Sequence, residues 1–259
     1  MENSQFEGKK VFFVYPHSVF QENLIQRLVD LEYEIYILKD HKHVDTVLQL
    51  FPDAVMFFNI DRGMNRDEWE KFIRGLLQEP RPEPLSLGIL SYEFQKELAQ
   101  LYLFELSLPC GYIQLKQSLD EATRIVARTL EANEVKRRRK FIRYRVDENT
   151  ELKFNARVGS QLEDGQVLDI SSAGIAAVFN RQDLELTKNS LLSDIQLNLM
   201  GKRVRVSGVV LGFRDQTENS RPVNVILFDQ RVDGETKGVI RKFVNHKLQA
   251  ILERKLGME

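Results

Sequence analysis

The segment KRRRKFIRYR, residues 136–145, separates two halves of the sequence that differ in their pattern. All of its residues except Phe141, Ile142 and Tyr144 are cationic, whereas the formal net charge of the 259-residue chain is −1 at pH 7. A chain of this length exceeds an average domain, so two domains are expected. The segment is therefore a candidate linker in which positive charge is concentrated, because the surface as a whole is not basic.

Before this segment, short apolar runs alternate with amphipathic stretches, a pattern that predicts strands alternating with helices. Strict alternation requires parallel strands joined by crossover helices, so we expect a doubly wound parallel α/β sheet, the receiver-like architecture, over residues 1–133. The predicted strands are 10–16, 33–40, 53–61, 86–92 and 111–116, and the predicted helices are 18–32, 43–51, 65–78, 94–106 and 118–135.

After the segment, six short runs alternate apolar and polar residues with a period of two and are separated by Gly, Asp, Asn and Ser. This pattern predicts a six-stranded antiparallel β-barrel, and the last stretch, 234–256, predicts an amphipathic helix. We expect the basic linker to span 134–147 and the barrel with its helix to span 148–259. The predicted strands are 151–158, 166–171, 174–180, 192–200, 202–215 and 222–230.

The composition and motifs of the chain argue against several classes of protein. The one cysteine, Cys110, excludes an internal disulfide and is expected to be a buried, unreactive thiol. No signal-peptide core and no apolar run of roughly 18 to 20 residues is present, so we expect a cytoplasmic protein without a membrane span. We also expect no metal site and no cofactor. No paired carboxylates, nucleophile–base constellation or Gly-rich phosphate loop is visible, so the chain is not expected to be an enzyme.

Two short motifs indicate a binding site. The basic segment contains Arg139 and Arg143 with RxxxR spacing, and DISSAG, residues 169–174, has the form DxSxxG at a predicted turn between strands. Taken alone, the first motif favours a solvated linker and the second an ordinary Asx or Ser turn. Both motifs in this order, followed by a barrel pattern, favour a ligand site.

The combination resembles the PilZ family of cyclic di-GMP receptors, and the resemblance covers about residues 136–258. It implies a six-stranded barrel that binds cyclic di-GMP on its outer surface, with the arginine-bearing linker folding over the ligand. The ligand-binding residues that it implies are Arg139, Arg143, Asp169, Ser171 and Gly174. An arginine directly before the first motif, here Arg138, is compatible in this family with a stacked pair of ligand molecules.

The chemistry of the residue types fits this ligand. Guanidinium groups suit phosphate oxygens and the O6 and N7 acceptors of guanine, whereas a carboxylate such as that of Asp169 suits the N1 and N2 donors. Ser171 offers a hydroxyl and a turn-forming side chain. Gly174 permits backbone conformations or a close ligand approach that a Cβ would hinder.

Two other functions remain open. The basic linker could serve a nucleic-acid- or phosphate-binding protein, whose binding would depend steeply on salt and not on guanine. The barrel could also be a scaffold that binds no ligand. The intact motifs favour cyclic di-GMP, so no nucleic-acid partner is expected. The resemblance suggests a bacterial signalling role in motility, adhesion or virulence, without choosing among them.

The first half lacks the residues that a phosphorylated receiver uses. No carboxylate follows the first predicted strand, Asn59 or Phe58 stands where the phosphoacceptor would be, and Asp61 comes two or three positions later. Ser91 and Lys116 do resemble the family's hydroxyl and lysine positions. We therefore expect a pseudo-receiver that contacts a protein partner and is not phosphorylated.

Overall fold

A computed structural model of the chain describes residues 8–16, 19–136, 140–147, 150–181, 183–214 and 221–258. The chain divides into two compact units. We call residues 1–140 with 249–259 the α/β unit, and residues 141–248 the barrel unit.

The α/β unit contains a five-stranded parallel sheet with the order β2-β1-β3-β4-β5. This order is one of the two common doubly wound arrangements, the one found in flavodoxin-like folds. The predicted parallel α/β architecture is confirmed. Its strands are β1 (Val11–Val14), β2 (Ile35–Leu38), β3 (Val55–Asn59), β4 (Ser86–Ser91) and β5 (Tyr112–Gln114), and its helices are α1 (Val19–Asp30), α2 (Val44–Leu50), α3 (Arg66–Gln78), α4 (Lys96–Gln100) and α5 (Leu119–Ala132).

The sheet core explains why its central strands are continuously apolar in sequence. Every residue of β1 and β3 is buried, because strands covered by helices on both faces have no solvent side. Cys110 is buried beside this core, and burial raises the pKa of its thiol to about 12. The prediction of a buried cysteine is therefore confirmed, and the raised pKa keeps the thiol in its unreactive protonated form at neutral pH.

One predicted helix differs in form. The stretch predicted as a single helix over 94–106 is helix α4 followed by a π-helical turn over Leu101–Glu105. The backbone N–H of Leu106 donates to the carbonyl of Leu101, five residues back, at 2.8 Å. Over a single turn, the amphipathic pattern of a π-helix is indistinguishable from that of an α-helix, so the π-helical turn could not be predicted from the sequence pattern.

The barrel unit contains an antiparallel barrel. Strands β7 to β12 pair in the order β8-β7-β10-β11-β12-β9, and the pairing of β8 with β9 closes the ring. The predicted six-stranded closed barrel is confirmed within the described residues. Its strands are β7 (Lys153–Val158), β8 (Gln161–Ser171), β9 (Gly174–Phe179), β10 (Leu191–Leu199), β11 (Lys202–Arg214) and β12 (Val223–Phe228), and a short strand β6 (Tyr144–Arg145) pairs with β8.

Strand β8 is longer than predicted. It begins at Gln161 rather than at 166, because a tight turn through Gly159, with φ of 60°, pairs Val158 directly with Gln161. The first residues of β8 are mostly polar and exposed, so their apolar alternation was too weak to read as a strand.

The predicted C-terminal helix, α6 (Gly234–Lys255), is also confirmed. Asp233 caps its first turn by accepting from the backbone N–H and the hydroxyl of Thr236 at 2.7 and 2.8 Å. Phe243 and Val244 are buried in the barrel unit. Among the helices described, none combines the length and the apolar character that crossing a membrane requires.

Candidate functional site

The end of the basic segment is held on the barrel by strand β6. Tyr144 is fully buried and its ring packs edge-on against Phe243, with centroids 6.0 Å apart. The arginines on either side of it, Arg143 and Arg145, are both exposed. Because side chains of a strand alternate between faces, burying the tyrosine directs the guanidinium group of Arg145 outward.

The register of the barrel defines which face carries the DxSxxG residues. One row of paired residues is entirely core, with every member at most 2% exposed: Ile170, Ile175, Ile226 and Val210. Residues next to this row along each strand therefore lie on the opposite, outer face. Asp169 and Ser171, which flank Ile170, are outer-face residues.

Asp169 lies among cations. It pairs across strands with Arg145, and its carboxylate Oδ2 is 3.5 Å from a terminal guanidinium nitrogen of Arg214, on β11. The Asp169 side chain is 20% exposed and that of Arg214 is 52% exposed. The one carboxylate of the motif is thus partly open to solvent, with one guanidinium group beside it and a second arginine opposite it on the paired strand, which suits a ligand that carries both hydrogen-bond donors and negative charge.

Ser171 is built into the turn between β8 and β9. Its hydroxyl accepts from the backbone N–H of Ala173 and donates to the carbonyl of Gly174, each at 3.3 Å, and the side chain is almost entirely buried. This is the local hydrogen-bonding of a Ser turn, so Ser171 shapes the hairpin that follows Asp169.

Gly174 is required by close packing of strands. A Cβ at this position would lie 2.1 Å from the carbonyl oxygen of Ile226 on β12, far inside contact distance. Its φ is not in the left-handed region, so a special backbone conformation is not the reason for glycine. Of the two reasons predicted for this glycine, a special backbone conformation is not found and a close ligand approach stays a prediction; the close approach that the structure shows is that of a neighbouring strand.

The structure thus brings together Asp169, Ser171 and Gly174 at one hairpin. Arg143 is exposed and directly precedes β6, the strand that pairs with β8. Arg138 and Arg139 lie outside the described residues. Sequence reasoning missed Arg145 and Arg214. The alternation in RYR could have signalled Arg145, whereas no local pattern connects Arg214 with Asp169, forty-five positions earlier.

The carboxyl edge of the α/β sheet, the position of a receiver's phosphorylation site, holds a different set of contacts. Asn59 ends β3, and its amide N–H donates to the carbonyl of Tyr15 at 2.9 Å. Asp61 accepts from the hydroxyl of Ser91 at 2.8 Å and from the backbone N–H of Tyr92 at 2.7 Å. Asp61 therefore engages the hydroxyl that the receiver resemblance assigns to the phosphorylation site.

A cavity of about 370 Å³ lies at this edge. Its lining residues are Gln21, Asn59, Asp61, Arg62, Tyr92, Glu93 and Gln95. Lys116, predicted as the family's lysine position, is exposed and is not among the lining residues. Polar and charged groups of both signs line the cavity.

Comparison with known proteins gave matches in structure only. No family model matches the chain, and no curated protein matches it in sequence. The PilZ domain of Escherichia coli YcgR, solved with c-di-GMP, is similar at 14% identity and a TM-score of 0.40, over 47% of this chain and 98% of that one. The Klebsiella pneumoniae MrkH–c-di-GMP complex is similar at 23% identity and a TM-score of 0.37, over 47% of this chain and 56% of that one.

The Bacillus subtilis inhibitor of motility, MotI, is similar at 14% identity and a TM-score of 0.36, over 44% of this chain and 52% of that one. The match therefore spans about half of the MrkH and MotI chains. Independently of these matches, the strand order and the following helix of this chain are the architecture that the PilZ resemblance implies.

Proposed function

We propose that this chain is a noncatalytic cyclic di-GMP effector. In this proposal Arg138, Arg139 and Arg143 supply guanidinium groups to the nucleotide. The outer face of the barrel supplies Asp169 and the hairpin formed by Ser171 and Gly174. This segment joins the two units in sequence. Ligand binding there would therefore rearrange the units and so alter the surface that a protein partner contacts.

The observation that carries the proposal is the pairing of β6 with β8. It sets Arg145 directly opposite Asp169, and the exposed Arg143 precedes this pair by two residues. The two motifs are about twenty-five residues apart in sequence, and strand β6, which follows the first motif, is anchored on the core by Tyr144 and pairs with the strand that carries Asp169. Guanidinium groups beside a partly exposed carboxylate are the arrangement that a guanine nucleotide needs.

The same geometry disfavours a general phosphate-binding surface. A carboxylate at the centre of the cationic group would repel a polyanion, whereas it accepts hydrogen bonds from the N1 and N2 donors of guanine. A nucleic-acid-binding function would therefore account for the basic segment but would give Asp169 no part in binding.

Calorimetric titration of the full chain with cyclic di-GMP, GTP and cyclic di-AMP tests the proposal. We expect cyclic di-GMP to bind well above the other two, with an affinity that depends on Asp169. Comparable binding of all three nucleotides with a steep salt dependence would support the phosphate-binding alternative, and no binding of any would support the scaffold. The stoichiometry also tests the stacked pair, since one ligand per chain at saturation counts against it.

For the α/β unit we propose a pseudo-receiver role. Asn59 stands at the end of β3 with an amide in place of a carboxylate, and Asp61 is engaged by Ser91 and Tyr92. An amide cannot accept a phosphoryl group as a carboxylate does. The unit would therefore serve as a contact surface for a protein partner.

Incubating the chain with a small phosphodonor and magnesium should leave its intact mass unchanged. The physical reason is that Asn59 is not a nucleophile and the Asp61 carboxylate is held by two hydrogen bonds. An Asp61→Asn variant treated in parallel is the matched control. A gain of one phosphoryl group in the original chain that this variant lacks would contradict the pseudo-receiver assignment.

A further inference from the structure

We propose that Arg214 is a specificity-determining residue of the nucleotide site, which contacts O6 of the guanine whose N1 and N2 donors bind Asp169. The inference rests on the proposed function and deepens it. Arg214 is not part of either sequence motif and comes from β11, a strand that is not adjacent to β8 in the barrel.

The first step is the distance between the two side chains. The terminal guanidinium nitrogen of Arg214 is 3.5 Å from Oδ2 of Asp169. A base edge that binds the carboxylate therefore comes within reach of the guanidinium. At this distance, with the guanidinium half-exposed, the ion pair itself is weak, so both groups can turn toward a ligand.

The second step is the shared face. Asp169 pairs with Ala176, Ala176 with Val225, and Val225 with Gly212, so these four positions form one outer-face row across four strands. Arg214 follows Gly212 by two residues and therefore projects from the same face. The 3.5 Å separation agrees with this placement, since the Arg214 guanidinium reaches the Asp169 carboxylate across this face.

The third step is the chemistry of the base edge. Guanine presents, in sequence, the O6 acceptor, the N1 donor and the N2 donor. A carboxylate can accept from the two donors, and a guanidinium beside it can donate to O6, because arginine has donors only. Adenine presents one amino donor and one ring acceptor on the same edge, so it cannot satisfy both oxygens of the carboxylate while also meeting the guanidinium.

The test is to measure dissociation constants of the full chain for cyclic di-GMP and cyclic di-AMP, in the original protein and in Arg214→Ala. We expect the variant to bind cyclic di-GMP about 5- to 30-fold more weakly, the range of one lost base contact, and to bind cyclic di-AMP unchanged. Arg203→Ala is the matched control, since Arg203 is an exposed arginine of the same strand.

Three results would overturn the inference. Unchanged affinity for cyclic di-GMP would show that Arg214 does not touch the ligand. An equal loss of affinity for both nucleotides would show that Arg214 contacts phosphate. A gain in the affinity for cyclic di-GMP would show that Arg214 competes with the ligand for Asp169. In each case the original protein still binds cyclic di-GMP, and the proposed function stands. If the original protein does not bind, the proposed function fails and this inference fails with it.

Discussion

Replacing Arg143 with alanine should weaken cyclic di-GMP binding by about 10- to 100-fold, the equivalent of one or two charge-assisted hydrogen bonds. Arg143 is exposed and leads into β6, whose next outward residue, Arg145, is paired with Asp169. The arginine makes no contribution to the core, so its removal should leave the thermal stability of the chain unchanged. Calorimetric titration of the original chain and the variant measures the effect.

Two further variants accompany this measurement: the first separates the shape of the Arg143 side chain from its charge, and the second is a control. Arg143→Lys keeps the charge and loses the planar fork, so we expect an affinity between those of the original protein and the alanine variant. Arg203→Ala removes an arginine from an exposed position of β11 and should bind normally. Unchanged affinity in both Arg143→Ala and Arg139→Ala would contradict the assignment of the RxxxR motif.

The second large effect concerns folding rather than binding. Gly174→Ala should lower the free energy of unfolding by about 2–3 kcal/mol, the upper part of the usual cost of overpacking, because the group that the new Cβ meets is backbone. A Cβ there would lie 2.1 Å from the carbonyl oxygen of Ile226, so the pairing of β9 with β12 must open. Denaturant unfolding of the full chain, followed by circular dichroism, measures the loss.

Gly212→Ala is the matched control for this prediction. Gly212 belongs to the same outer-face row as Asp169, yet no atom lies within 4 Å of a Cβ built on it. The stability of this variant should be equal to or slightly above that of the original chain, because alanine restricts the unfolded chain more than glycine does. Equal stability of the two variants would show that Gly174 is not needed for strand packing.

Much of the fold could be predicted because it follows from local patterns. The runs VFFV and VMFFN are apolar at every position, and this is what a strand covered on both faces requires. Period-two alternation predicts the barrel strands. Ser118, directly before α5, has a side chain of the type that caps helices, and its hydroxyl oxygen accepts from the backbone N–H of Glu121 at 3.2 Å. Each of these features depends on neighbours in sequence.

The features that the sequence missed depend on distant residues or on weak local signals. The ion pair of Arg214 with Asp169 joins two strands that are neighbours neither in sequence nor in the barrel. The reason for glycine at position 174 is a carbonyl oxygen of β12, which no motif reveals. Strand β6 is two residues long, so the alternation in RYR is its whole signal in sequence, and its pairing with β8 cannot be read from that signal.

The central claim is that the basic segment and the outer face of the barrel bind one guanine nucleotide together. A crystal structure of the full chain with cyclic di-GMP tests it most directly. We predict a guanine edge within hydrogen-bond distance of the Asp169 carboxylate and the guanidinium group of Arg143 on the same nucleotide. A nucleotide bound elsewhere on the chain, or Arg139 and Arg143 both turned away from a ligand at Asp169, would contradict the account.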